Sequence, residues 1–186
     1  MAKLIYSGFT SLDGYVADET GNFHWAELDE EVHAFINSRE RRVGTYLLGR
    51  RMYETMAVWE MPDVIAHLPA AALAFTPIWQ AAEKIVYSTT LQSVSMAKAR
   101  LEQTFEVDAI RELKAGATRD VAVGGAALAA HAIRAGLVDE FHILVAPIVA
   151  GGGNPYLPGD VRVPLELLDE RRFNHGLVYL QYRAKR

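Results

Sequence analysis

The stretch Asp120–Gly136, DVAVGGAALAAHAIRAG, leaves a chain few options. An apolar β-type run ends at Gly124-Gly125, and a helix-forming run begins at once. Strand, tight turn and helix in direct succession form the building unit of an α/β fold. Such a turn also leaves the first N–H groups of the helix without a side-chain cap, because glycine offers none. Two purposes fit the pair. Glycine readily makes the left-handed turn between strand and helix. It also lets an anion reach the first-turn amides, where the helix dipole is positive.

The same alternation runs along the chain. KLIYSGF reads as a first strand and TSLDGYVADETGN as a long polar loop. In LDEEVHAFINSRERR, Leu28, Val32, Phe35 and Ile36 fall at helical spacing, with Asp29 placed as N-cap. TYLLG is a buried strand that runs into the helix start RRMYETM. Residues 57–80 contain three prolines and an alanine cluster and read as loop plus a short helix. EKIVYST is a strand, and FEVDAIRELKAG an amphipathic helix with Gly116 as its C-terminal cap. DEFHILVAPIVAGGG reads as one long strand stopping at the triple glycine. LELLDERRFNHGLVYLQYRAK reads as a hairpin turning near Asn174-His175-Gly176. The expected fold is a largely parallel sheet with helices on both faces and an antiparallel C-terminal hairpin.

With 186 residues, 51% of them hydrophobic, the chain can bury one sizeable core, so one domain over 1–186 is expected. A net charge of −4 argues against a nucleic-acid-binding face, which needs basic residues to displace counterions. No run is apolar enough to span a bilayer, and the N-terminal residues do not form a signal peptide. With no cysteine, neither disulfides nor thiolate metal sites arise, and the six histidines lack paired metal-ligand spacing. A soluble, cytoplasmic protein without a metal is expected.

Two further strand ends repeat the theme of the glycine pair. In LLGRRMYE, Gly49 precedes a first helical turn carrying Arg50 and Arg51, whose charges oppose the dipole unless an anion compensates them. The alternative is a solvated pair of arginines, with Glu54 as partner. In YSTT, Ser88, Thr89 and Thr90 offer hydroxyls at a strand's C-terminal end, where ligands of open α/β sheets gather. Such hydroxyls also commonly cap a turn. Together the three ends suit a ligand with separated phosphates, such as a dinucleotide with a 2′-phosphate. Gly151–Gly153 offers further amides, or a plain turn. Trp25, Trp59 and Trp79 suit either a planar-ring pocket or the core.

The ordered set SLDGYVAD…W, LLGRRMYETM, VYSTT, VAVGGAALA and ILVAPIVAGGG resembles the dihydrofolate reductase-like superfamily. Within it, the chain is similar to the reductase domain of the bifunctional riboflavin-biosynthesis deaminase-reductase. The resemblance implies NADPH across the strand ends. Val16 and Ala17 would meet the nicotinamide, and Gly49, Arg50 and Arg51 would hold phosphate. Ser88 and Thr89 would lie near the 2′-phosphate, while Gly124, Gly125, Ala126, Ala127 and Leu128 would cradle the pyrophosphate. Trp25 and Gly152 fall on the substrate side, and a homodimer is implied. Counting from Trp25, the position of the pterin-binding acid of dihydrofolate reductases is Glu30, with Asp29 and Glu31 one step away. Acids in a first helical turn also need no reason beyond the dipole. The aromatic that usually follows the glycine turn is replaced by Ala127 and Ala129. Without cysteine the chain carries no zinc-dependent deaminase of the fused type.

The resulting expectation is an NADPH-dependent reductase acting on a C=N or C=O group of a small heterocyclic or sugar-linked substrate. Glu30, a neighbour or a water would give the proton, with Asp13 as a second donor or substrate ligand; Asp13 also suits a plain turn before Gly14. The alternatives are a nucleotide-binding module without turnover, or a flavin-dependent reductase, which would leave the 2′-phosphate chemistry unused.

Overall fold

Short continuous apolar runs, buried on both faces, make the central parallel strands. In a computed structural model describing residues 2–25 and 28–185, Leu4–Thr10 forms β1 and Tyr15–Ala17 the short β2. Asp29 caps α1, Glu30–Glu40, its carboxylate accepting from the Val32 amide. Then follow β3 (Val43–Gly49) and α2 (Arg50–Met56). Residues 57–81 fold into a 3₁₀ turn and three short helices, α3 (Pro62–Ile65), α4 (Ala70–Leu73) and α5 (Thr76–Ala81). Proline sits in the first turn of α3 and α5, where its missing N–H costs nothing. The stretch is thus more helical than its sequence suggested.

β4 (Glu83–Tyr87), β5 (Ala99–Glu102), α6 (Val107–Gly116), β6 (Asp120–Gly124) and α7 (Ala126–Arg134) come next. The last elements are β7 (Glu140–Val145), β8 (Asn154–Pro155), β9 (Leu165–Arg172) and β10 (Val178–Ala184). Two local expectations are corrected. Gly116 is the last helical residue of α6, and Ala117, at φ −74°, ends the helix without a left-handed turn. The long strand stops at Val145, because Pro147 has no N–H to extend the ladder. β5, four residues of alternating exposure, escaped detection.

Eight strands form one sheet in the order β5-β4-β3-β6-β1-β7-β10-β9. β5, β4, β3, β6, β1 and β7 pair in parallel, and the C-terminal hairpin adds β10 and β9 antiparallel at one edge. β2 and β8 pair separately. The pleat sorts side chains between two layers. Leu4, Tyr6, Leu47, Val121 and Val123 point to the face covered by α6 and α7. Tyr46, Leu48, Val86 and Ala122 meet α2 and α5 on the other face. α1 covers that second face further along, over Leu144 and Tyr179.

Between those two second-face clusters the sheet floor turns polar. A cavity there of about 30 Å³, room for about one water, is lined by Ser7, Glu40, Glu140, His142 and Gln181 among others. Glu140 is 3% exposed. It accepts from Lys3 Nζ at 2.5 Å and Gln181 Nε2 at 2.9 Å, with His142 Nε2 at 3.1 Å. The His142 contact, followed by those of Lys3 and Gln181, overcomes burial and holds the carboxyl down from the ordinary 4.5 to about 2. A carboxylate depressed in the folded state stabilises fully above its unfolded value, and that contribution fades as pH falls from about 4.5 to about 2. Glu140→Ala is therefore expected to cost about 3 kcal/mol in urea unfolding at neutral pH. The difference from the native protein should shrink across that acid window.

Candidate active site

The site grows from strand ends. Leu48 of β3 lies in register with Gly124 of β6, and Gly49 with Tyr87 of β4, so three strands stop at one level. From there β3 feeds α2 on one face of the sheet and β6 feeds α7 on the other. Divergence of adjacent connections opens a crevice, the place where open α/β sheets bind ligands. Gly49 caps α2 and Gly125 caps α7, and neither cap makes a side-chain hydrogen bond. The two turns touch: a Cβ on Gly125 would stand 3.8 Å from Gly49 N and 3.9 Å from Gly49 Cα. The first intrahelical bond of α7 is from Ala129 N to Gly125 O. The amides of Ala126, Ala127 and Leu128 precede it and have no acceptor within the helix. Two bare, positively polarised helix starts thus face one crevice.

The glycine pair also has local work. Gly125 takes φ +98°, which disfavours any side chain. A Cβ on Gly124 would meet Met52 Cγ at 3.0 Å and Leu48 Cδ2 at 3.1 Å, so its absence lets α2 seat against β6. Turn and packing reasons therefore coexist with the open amides.

Charge lies beside the crevice. Arg50 donates from Nε to Glu54 at 2.7 Å and from Nη1 to Thr90 Oγ1 at 2.8 Å, tying the start of α2 to the turn after β4. Arg51 is exposed and has no side-chain partner among the described residues. Ser88 is buried, and its hydroxyl accepts from the Thr90 and Leu91 amides at 3.2 and 3.1 Å. It closes the turn, while Thr89 and Thr90 are exposed.

At the far side of the crevice two loops lock together. The Asp13 carboxylate accepts from Ala150 N at 2.9 Å and Gly151 N at 2.8 Å. The Ser11 hydroxyl, foremost, and these amides hold it down at about 2. β2, which carries Val16 and Ala17, pairs with β8 just beyond.

Residues 2–179 match the family model of the RibD C-terminal domain. The chain belongs to that family. It is 25% identical to YyaP, an uncharacterized protein of Bacillus subtilis, over 97% of this chain and 94% of that one. Among solved structures it is similar to a candidate riboflavin biosynthesis protein from Shewanella sp. PV-4, with TM-score 0.77 and 22% identity over 99% of both chains. It also resembles Enterococcus faecalis dihydrofolate reductase complexed with NADP(H), with TM-score 0.66 and 15% identity over 99% of this chain and 97% of that one. The fold is dihydrofolate reductase-like, with a mostly parallel central sheet between helical layers.

Within this RibD-type domain several expected residues have other work. Both oxygens of Asp13 accept backbone amides, and its carboxyl is held low, which suits an acceptor better than the proton donor expected. Gly152 lies beside amides already engaged and a carboxylate. Ala150 and Gly151 give their amides to Asp13, and a Cβ on Gly152 would stand 3.0 Å from the Glu19 carboxylate, which repels anions. Trp25 packs with Phe9, Phe35 and Ile36 against the α1 cluster. Trp79 is wholly buried in the α2–α5 cluster, and Trp59 packs against it. Of the acids opening α1, Asp29 caps the helix and Glu31 pairs with Arg171 at 2.5 Å. Glu30 is exposed.

The triple glycine is explained by closeness of chains. Gly153 has φ +125°, and a Cβ there would fall 2.1 Å from Ala17 O. Only glycine lets the two loops meet. Gly153→Ala is expected to cost about 3 kcal/mol by chemical unfolding, from strained backbone and displacement of β2. An exposed control, Gly159→Ala, has open space at its Cβ and should change stability by less than about 0.5 kcal/mol.

Proposed function

We propose that this RibD-type domain is an NADPH-dependent reductase for a small heterocyclic or sugar-linked substrate. The observation that carries the reading is the contact of Gly49 with Gly125, which brings two uncapped helix starts to one crevice. The donor set fits a dinucleotide phosphate: backbone amides along the crevice, with Arg50, Arg51, Thr89 and Thr90 at one flank for an additional phosphate. Two structural neighbours support the reading: a dihydrofolate reductase solved with NADP(H), and a Thermotoga maritima protein named as a deaminase/5-amino-6-(5-phosphoribosylamino)uracil reductase.

When bound, the nicotinamide supplies a hydride to an electron-poor C=N or C=O carbon. The chain's own residues hold and orient. Ala126, Ala127 and Leu128 present their amides to the pyrophosphate, while Arg50 and Arg51 supply charge for the 2′-phosphate. Val16 and Ala17 offer backbone to the nicotinamide from a strand fixed by β8. Ser88 acts indirectly by shaping the turn that displays Thr89. A water relays the proton to the product, oriented by Glu30, the carboxyl of its helical turn left free when Asp29 caps and Glu31 pairs. A homodimer completes the reading, with exposed Leu167 and Leu168 of β9 as apolar surface for it.

Titration with NADPH and NADH, followed by nicotinamide fluorescence and melting temperature, tests the proposal. Micromolar NADPH binding with a clear preference over NADH is the expected result. Absence of binding by either would overturn it. Replacing Arg50 and Arg51 together by Ala should weaken NADPH by about tenfold or more and NADH by much less. Equal losses would remove the 2′-phosphate assignment. NADPH binding with no consumption against pterins, pyrimidines and quinones would instead assign a binding module without turnover.

A further inference from the structure

We propose that Asp13 is a positioning residue: its carboxylate latches the loop after β1 onto the Ala150–Gly153 turn and so sets where Tyr15–Ala17 holds the nicotinamide end of the cofactor. What is positioned rests on the reductase reading above; the latch itself does not.

The geometry is that of a two-point clamp. One carboxylate oxygen takes the Ala150 amide and the other the Gly151 amide, in a loop 137 residues away in sequence. The Asp13 end is rigid as well. Ser11 is wholly buried and bonds Asp13, while its Oγ accepts from Tyr15 N at 3.0 Å. The Ser11 amide donates to Tyr15 O at 2.9 Å, closing the turn in which Asp13 stands. Leu12 N donates to Ile148 O at 2.7 Å, and Tyr156 N to Gly14 O at 2.8 Å, on either side of the clamp. The turn it grips is anchored in turn to the central strand. Tyr156 stacks on Tyr6 at 4.3 Å, each hydroxyl donating to the other's carbonyl, at 3.2 and 2.9 Å.

The consequence falls on one short segment. Tyr15 and Ala17 pair with Pro155 and Asn154, and Ala17 O lies against Gly153. Asp13 sets the register of this pairing from one end and Gly153 from the other. A carboxylate suits the task because it accepts at both oxygens, whereas a carboxamide would turn an N–H₂ donor toward one of the two amides. Asp13 is itself exposed, so its loss leaves the hydrophobic core untouched and the protein folded. No other carboxylate among the described residues bonds to the Ala150–Gly153 amides.

Asp13→Ala and Asp13→Asn test this with two ligands: NADPH, and adenosine 2′,5′-bisphosphate, which carries the adenosine and 2′-phosphate but no nicotinamide. Asp13→Ala is expected to weaken NADPH about tenfold or more, since a small misplacement is costly at a positioned group, and to leave the bisphosphate within about twofold. Asp13→Asn should fall between. In the ligand-free protein, amide hydrogen exchange across Tyr15–Ala17 should rise in Asp13→Ala. Unchanged exchange would overturn the latch. Equal weakening of both ligands would overturn the positioning role, because a general loosening of the fold spares neither. Native protein that binds neither ligand would remove the reductase reading, and the positioning role with it, while the exchange result still decides the latch.

Discussion

The contact between the turns after β3 and β6 governs the rest of the molecule. The two strands are neighbours, yet their helices leave to opposite faces, so backbone must pass backbone at the parting point. A side chain at Gly125 would carry a left-handed φ, and one at Gly124 would press on Met52 and Leu48. Glycine is therefore imposed first by geometry. Uncapped helix starts follow as a by-product, and an anion-binding crevice is what uncapped starts make. The packing constraint and the proposed cofactor site thus fall on the same atoms.

The opposite wall of the crevice is built differently. It consists of two loops with little regular structure, and their order comes from hydrogen bonds rather than apolar burial. The anchor is the Tyr6–Tyr156 pair, buried beneath the α6–α7 layer, whose burial pushes both phenols well above the ordinary 10 and keeps them as hydroxyl donors. From that anchor the chain returns through the triple glycine to meet β2. Leu12 and Val149 stand exposed at the outer end, so the loops are held by polar bonds across a surface that water reaches.

The polar floor beneath α1 has a separate character. Glu140, His142, Gln181 and Lys3 satisfy one another near the starts of the parallel strands, away from the crevice at their other ends. Where the α1 and α2–α5 clusters fail to merge, a hydrogen-bonded network fills the gap instead of apolar side chains. The stabilisation that this network gives through Glu140 is full at neutral pH and fades as pH falls from about 4.5 to about 2.

Much of this was written in the sequence. The apolar runs of TYLLG and DVAVG, the Asp29 cap and the Asn174–Gly176 turn are local, and local chemistry reads out in one dimension. The order of strands and helices was enough to place Gly49 and Gly125 at strand ends. What the sequence could not determine was which partner each polar group would choose. Ser88 spends its hydroxyl on the turn, and Arg50 reaches Glu54 and Thr90. Asp13 finds two amides 137 and 138 residues away, and Gly153 of the triple glycine makes a close loop contact. Local preference is fixed by the next few residues, so a chain carries it openly. A long-range hydrogen bond depends on where folding brings two distant segments, and only the tertiary structure decides that.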